Sequence, residues 1–279
     1  MKNIINKWRK EIFIFLFEVF FGLEILAMKE IITFPRVLGV GSFGIRTYGV
    51  LITLGVLLVT YLVGKEIKKY KETNKIDISD LLIITLIFGV LGARIYHLAT
   101  DWHIYQADPM SALYIWNGGM GIFGAVLGGI LGSWIYTKRK HLKLTPLIDI
   151  IAVFMPLAQV LGRTGNLINQ EILGLPTNLP WSWDITTFGG SFHPVFLYEQ
   201  LGNTILFLIL FWLYKSRRIK VGAGKLFFVY ILGYCIIRFV VEFFRIETRV
   251  LWDILSVNQI VCVFGIMISS ILLFNQRSK

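Results

Sequence analysis

The stretch LLIITLIFGVLGARIYHLA, residues 81–99, runs for 19 residues with Arg94 as its one formally charged side chain. About 20 mostly apolar residues in a helix are needed to cross a bilayer, so this stretch reads as a membrane span. Working outward from it, comparable runs occupy Tyr48 to Gly64, Gly118 to Tyr136, Leu144 to Gly162, Pro194 to Tyr214, Leu226 to Phe244 and Ile254 to Phe274. The whole chain of 279 residues is 56% hydrophobic and 16% charged, with a mean hydropathy of +0.68. That balance is too apolar for a soluble domain of this length. The fold class expected is an all-α polytopic membrane protein with about seven transmembrane helices, or eight, joined by small non-cytoplasmic loop segments.

Basic residues in short loops stay in the cytoplasm during insertion, so their placement sets orientation. One set of loops holds Lys65, Lys68, Lys69, Lys71 and Lys75, then Lys138, Arg139, Lys140 and Lys143, then Lys215, Arg217, Arg218, Lys220 and Lys225, then Arg277 and Lys279. The opposite loops, His97 to Asn117 and Thr164 to His193, contain no lysine or arginine. The first set is therefore expected in the cytoplasm together with the C-terminus. The formal charge of +11 is thus a topology signal spread over juxtamembrane loops, and it excludes the single basic face of a nucleic-acid binder.

Residues 1–30 read in two ways. A basic head with Lys2, Lys7, Arg9 and Lys10 precedes an apolar stretch, Ile12 to Met28, interrupted by Glu18 and Glu24. No small-x-small cleavage site follows it, so an amphipathic interfacial helix or an extra span is expected in place of a cleaved signal peptide, with the helix preferred. Residues 31–279 are expected to form one catalytic membrane domain.

Charges at membrane depth cost ~2.5–3.5 kcal/mol each on insertion scales, so each needs a partner or a function. Arg94, Asp149, Arg163, Glu199, Arg238, Glu242 and Arg245 all fall in or beside spans. Tyr234, Arg238, Glu242 and Arg245 are spaced i, i+4, i+8 and i+11, which predicts one stripe of a helix. A salt-bridged packing seam accounts for such a stripe, but two arginines against one glutamate leave positive charge for an anion. The segment from Gly162 to Glu171 predicts a polar, glycine-punctuated turn at the end of its span, with Arg163 offering a bidentate fork and the glycines an anion nest. A helix C-terminus has the same look. Gly124, Gly128 and Gly132 repeat every four residues and predict close helix packing. Asp149 and Glu199 suit buried hydrogen bonding between helices as well as they suit chemistry. His193 could titrate near neutral pH or serve as an interfacial hydrogen-bonding residue. Cys235 and Cys262 lie inside spans without companions at metal-ligand spacing and read as packing residues.

The segment GRTGNLINQEILG, Gly162 to Gly174, resembles the signature of bacterial prolipoprotein diacylglyceryl transferases. Similar matches follow in collinear order: Arg46 to Gly49, Trp116 to Met120, His193-Pro194 with Leu197 to Glu199, Gly233-Tyr234, and Arg238 to Arg245. The resemblance runs from Gly39 to Phe274 and leaves the N-terminal segment outside. It implies an inner-membrane enzyme whose site faces the non-cytoplasmic side. The implied reaction transfers the diacylglyceryl group of phosphatidylglycerol to the lipobox cysteine of a prolipoprotein and releases glycerol phosphate, with no cofactor or metal. It further implies catalytic roles for Arg163, Arg238, Tyr48 and Glu242, and contacts to phosphatidylglycerol from Arg163, Asn166, Glu171, Gly174, Tyr234, Arg245 and His193. The chemistry agrees with the residue types, since the substrate brings its own sulfur nucleophile and the departing phosphate needs a cationic clamp. One departure is plain. Many members carry a histidine and two glycines where this chain has Phe123-Gly124-Ala125, which puts the usual proton acceptor in doubt. A lipid or anion transporter, or an inactive phosphatidylglycerol-binding relative, are the competing readings. Transporters usually show inverted repeats, and the sequence has no such internal symmetry.

Because no Cys, His or carboxylate cluster has metal-ligand spacing, transfer activity is expected to be unchanged by EDTA. Loss of activity on chelation that a divalent ion restores would refute the metal-free reading.

Overall fold

The computed structural model describes residues 18–40, 43–115, 118–246, 250–251 and 255–275. Residues 1–17, and with them the whole basic head, lie outside the described residues, as do Trp116 and Asn117. Residues 18–28 form helix α1. Seven further helices follow: α2 (Thr47–Ile67), α3 (Ile78–Thr100), α4 (Ile122–Arg139), α5 (Leu144–Asn169), α6 (Val195–Lys215), α7 (Lys225–Glu242) and α8 (Val257–Asn275). Short antiparallel hairpins pair β1 (Val37–Val40) with β2 (Phe43–Arg46), β3 (Trp183–Ile185) with β4 (Gly190–Phe192), and β5 (Val250–Leu251) with β6 (Leu255–Ser256).

Each of the seven predicted runs falls on a helix. Among the described residues, five of these helices, α2, α3, α5, α6 and α8, are long and apolar enough to cross a membrane. The chain is a multi-pass membrane protein. Two helices fall short of that measure for visible reasons. Glycines dilute α4, which closes on Lys138 and Arg139, while α7 carries Lys225, Arg238 and Glu242. The outward faces are lipid-like, with Leu91, Leu127, Ile205 and Phe264 all more than half exposed.

The segment Gly162 to Asn169 corrects one expectation. It is not a turn but the last two turns of α5, which continues unbroken through both glycines. The chain leaves the helix only at Gln170 and Ile172, both at positive φ. Glycine costs about 1 kcal/mol in a helix interior, and at Gly165 that cost goes with a packing need. A Cβ there would lie 2.7 Å from Cε2 of Tyr48. The Tyr48 ring, on the first turn of α2, occupies the space that a side chain would take. The backbone nest expected from Gly162 and Gly165 is therefore absent, because their N–H groups serve the helix ladder.

The fold divides into two units. One takes the chain up to Val59, Ala152–Arg218 and the chain from Phe228 onward; the other takes Thr60–Ile151 and Ile219–Phe227. In the second unit α3 and α4 pack backbone to backbone. A Cβ on Gly128 would come 2.9 Å from the carbonyl carbon of Phe88, and one on Gly132 would come 2.9 Å from the Phe88 Cβ. Small residues every four positions give this close approach. Buried Arg94 organises the following loop. Its Nε donates to the carbonyl of Ala112, Nη2 to Ser111, and Nη1 to Gly118, Gly119 and the Tyr105 hydroxyl. Gly118 and Gly119 take φ values of 89° and 71°, forming the turn that feeds α4. Arg94 is thus a structural plug. Asp149 is likewise structural. Fully buried, it accepts from the backbone N–H groups of Gly222, Gly224 and Phe227 and so anchors the entry to α7.

The first unit has a small apolar core in which Met28 of α1 packs with Leu167, Trp183, Ile185, Phe192, Phe196 and Leu197. Just beyond α1, Lys29 pairs with Asp184 at 3.0 Å. The Thr186 hydroxyl and then its backbone N–H donate to Glu30, holding that carboxyl below its ordinary range.

The glycine packing predicts that Gly128→Val lowers stability by about 1–3 kcal/mol through overpacking. Gly129→Ala, whose added carbon would sit 3.5 Å from the Thr85 methyl, should leave the melting temperature in detergent unchanged. Equal melting temperatures for both variants would refute the close-approach account.

Candidate active site

Glu199 lies on the second turn of α6 with its side chain 1% exposed. Its carboxylate is clasped from both sides. Arg163 of α5 pairs through Nη2 with Oε2, and Arg238 of α7 pairs through Nη1 with Oε1. The other terminal nitrogen of Arg238 reaches Glu242 at 2.9 Å, one turn along the same helix. Arg245 Nη1 meets the same Glu242 oxygen at 3.2 Å. Three guanidiniums therefore face two carboxylates, leaving one positive charge in excess.

Local sequence explains why Glu242 holds its place. Ser256-Val257-Asn258-Gln259 opens α8 as a capping box: the Ser256 N–H donates to Gln259 Oε1 at 2.9 Å, and the Gln259 N–H donates to Ser256 Oγ at 3.1 Å. That arrangement satisfies the helix start and leaves the Ser256 hydroxyl to donate to Glu242 Oε1 at 3.1 Å, where Asn258 Nδ2 also donates at 2.9 Å. One Glu242 oxygen is thus committed to α8 and the other to the arginines. Arg163 in turn donates to Asn166 Oδ1 at 3.1 Å, one turn along α5.

Arg245 does not share the helical stripe. α7 ends at Glu242, and the chain turns so that Arg245 forms a β-bridge with Gly174. Leu175 N–H donates to the Phe244 carbonyl at 2.7 Å and Ile246 N–H to that of Leu173 at 3.1 Å. The i+11 spacing fails because Phe243 and Phe244 leave the helical path. Arg245 still reaches Glu242, and its buried Nε has no hydrogen-bond partner among the described residues. Gly174 packs against His193, where a Cβ would lie 2.6 Å from the His193 Cβ.

Of the residues expected to form the site, the structure brings Arg163, Asn166, Arg238, Glu242 and Arg245 into one network. Tyr234 lies in the electrostatic surroundings of Glu199, Arg163 and Arg238, and its ring stacks on Tyr230. Tyr48 sits against Gly165, two residues from Arg163. His193 belongs to an adjoining aromatic cluster: its Nδ1 is 2.9 Å from the Tyr198 hydroxyl, which also accepts from Trp181 Nε1, and its ring packs on Phe244. Glu171 is exposed, accepts from Asn169, and joins no ion pair with the arginines among the described residues. The sequence leaves Glu199 open between structure and chemistry and does not single out Ser256 or Asn258. The S-x-x-Q box was legible, but nothing in it indicated that Glu242 would share its hydroxyl.

Phe123 is on the first turn of α4, 37% exposed, with its ring tilted against Tyr96. No group of His, Cys, Asp and Glu among the described residues is arranged to hold a metal ion.

Comparison with known proteins joins these observations. Residues 35–275 match the family model described as prolipoprotein diacylglyceryl transferase. A phosphatidylglycerol--prolipoprotein diacylglyceryl transferase of Finegoldia magna is 36% identical over 82% of this chain and 90% of its own length. A protein of the same description from Synechococcus elongatus is 32% identical over 87% of both chains. One from Synechococcus sp. is 37% identical over 77% of this chain and 80% of its own. The chain belongs to the prolipoprotein diacylglyceryl transferase family.

Proposed function

We propose that this protein transfers the diacylglyceryl group of phosphatidylglycerol to the thiol of a prolipoprotein lipobox cysteine. The observation that carries the reading is the cluster of Arg163, Arg238 and Arg245 around Glu199 and Glu242, with its one surplus positive charge. In the reaction the cysteine sulfur attacks the glyceryl carbon that bears the phosphate ester. A C–S bond forms, the C–O bond to phosphate breaks, and glycerol phosphate leaves with the electron pair. The thiol proton departs to a base or to water, so the leaving phosphate gains negative charge as the reaction proceeds. Fixed guanidiniums aimed at that phosphate stabilise the transition state more than the ground state, which is the condition for raising kcat.

Arg163 and Arg238 form the clamp on this reading, with Glu242 orienting Arg238 and Glu199 setting the distance between the two guanidiniums. Arg245 offers its unpartnered Nε, and Asn166, Tyr234 and Gly174 line the anion's surroundings. Tyr48 and His193 border the site, and Glu171 contacts the substrate at its exposed edge. A cysteine thiol has an ordinary pKa of about 8.5, and nearby cations favour its thiolate. The positive excess therefore serves the nucleophile as well as the leaving group, so that a histidine at position 123 is dispensable.

Residues 31–279 act as one catalytic domain of seven spans in the bacterial inner membrane. Its C-terminus is cytoplasmic, and the site opens toward the non-cytoplasmic side, where the loops His97 to Asn117 and Thr164 to His193 contain no lysine or arginine. The partners are phosphatidylglycerol, the prolipoprotein signal peptide and membrane lipids, with no nucleic acid.

The direct test incubates purified protein with phosphatidylglycerol vesicles and a lipobox peptide, and looks by mass spectrometry for a peptide heavier by one diacylglyceryl group. An unmodified peptide alongside measurable lipid efflux would favour a transporter instead. Arg163→Lys and Arg238→Lys should each lower kcat at least ~100-fold, the scale of losing one oxyanion donor, because lysine keeps charge but not the planar fork. Glu242→Gln should also slow turnover by releasing Arg238. Normal rates for both lysine variants would place the clamp elsewhere. Phe123→Leu should retain wild-type rate within about twofold, as expected where the side chain serves only as apolar surface. A wild-type protein that binds phosphatidylglycerol without turnover, while Phe123→His modifies the peptide, would show that a required base has been lost.

A further inference from the structure

Helix α1 lies upstream of residue 35, where the match to the family model begins, yet it places a carboxyl group against the two helices that carry Arg163 and Glu199. Glu24 is 2% exposed. Its Oε1 accepts from the Thr164 hydroxyl at 2.7 Å and from Gln200 Nε2 at 2.8 Å. Gln200 Nε2 also donates to Thr164 Oγ1 at 3.1 Å and to the Val160 carbonyl at 3.2 Å, which closes the network between α5 and α6. Thr164 follows Arg163 in the chain and Gln200 follows Glu199. The two residues that Glu24 holds are thus the immediate neighbours of the two that form the clasp.

We propose that Glu24 is a positioning residue for the Arg163–Glu199 pair, supplied by an N-terminal helix outside the family's common portion. The inference rests on the clamp reading of that pair. Glu24 does not touch either guanidinium. It acts by fixing the rotation of α5 against α6, since Thr164 and Gln200 can both satisfy one acceptor only when the two helices are in register. The acceptor is itself anchored. Met28 lies one turn further along α1 in the apolar core, and Lys29 and Glu30 bind the β3–β4 hairpin through Asp184, Ser182 and Thr186. That hairpin runs directly into α6, so α1 grips α6 both at its entrance and beside Glu199.

The hydrogen bonds, not the charge, carry the role. Among the described residues Glu24 Oε2 and Gln200 Oε1 are both buried without a hydrogen-bond partner, and the described residues supply Glu24 with no cation. A glutamine at position 24 keeps the accepting oxygen and replaces the unpartnered one with a donor, which suits a site short of donors.

The test measures kcat and KM for phosphatidylglycerol in full-length protein carrying Glu24→Leu, Glu24→Gln, Thr164→Val or Arg163→Lys. Glu24→Leu is expected to lower kcat ~10-fold with KM changed less than about twofold, as expected when a clamp that acts in the transition state is misplaced by a fraction of an ångström. Glu24→Gln should restore kcat to within about twofold of wild type, because the accepting oxygen remains. Thr164→Val removes the same hydrogen bond from the other side and should reproduce the Glu24→Leu defect; it decides the matter if Glu24→Leu does not fold. A wild-type kcat for Glu24→Leu, or for Thr164→Val where Glu24→Leu fails to fold, overturns the proposal, and so does a Glu24→Gln enzyme as slow as Glu24→Leu. Arg163→Lys separates the two readings. If it turns over normally, the clamp reading itself fails; if it is impaired while Glu24→Leu is normal, only the role of Glu24 fails.

Discussion

A buried carboxylate that loses its cation is far more costly than an apolar side chain in its place, and Glu199 is held under that constraint. Breaking a buried pair by removing one partner costs ~3–5 kcal/mol, because the charge left behind stays desolvated. Glu199 answers with two arginines from two other helices, so α5, α6 and α7 meet at one carboxylate. The pairing is also incomplete by design of the charges. Adding Arg245 and Glu242 leaves the cluster one positive charge in excess, and an anionic substrate can neutralise what the protein does not. On the proposed reading, the same residues that fasten the helices also set what the site accepts.

The supporting shell is built from ordinary devices of helix termination. Ser256 and Gln259 cap α8, and the cap's hydroxyl holds Glu242. The bridge between Gly174 and Arg245 satisfies backbone groups where α5 and α7 have ended. Buried backbone groups left without partners are costly, and the bridge supplies partners for these. It costs little extra to place an arginine or a carboxylate on the segment that does so. Precision at the cluster is a by-product of closing the helix ends.

Much of this was legible in the sequence. Residue types that are expensive in lipid announced themselves, and Arg163, Arg238, Glu242 and Arg245 proved to share one network. Hydrophobic run length located seven helices, although α5 runs on to Asn169, seven residues past the expected end at Gly162. The failures have physical causes. Gly162 and Gly165 looked like a turn because glycine usually ends helices, but here Gly165 yields its volume to Tyr48, a contact between residues more than a hundred positions apart. Arg245 fitted a helical period that the chain abandons at Phe243. Glu199 could not be ranked, because one carboxylate on an apolar helix gives no sign of which cations will meet it. Glu24 read as an interruption in an apolar stretch. Its partners, Thr164 and Gln200, become visible only once the helices are assembled.

The ring of Tyr48 resting where a side chain of Gly165 would be has a consequence for how such a protein can change over generations. Neither position is free to drift alone. Enlarging residue 165 while the tyrosine stays forces the ring out of its slot, and removing the ring first opens a void that only a larger residue 165 could refill. The two sites are joined in a lock that single steps cannot pass without an unfit intermediate. Variation in this part of the molecule should therefore arise in pairs or not at all, and a recombined chain that inherits its first span from one parent and its fifth helix from another will succeed only if both parents keep the same lock.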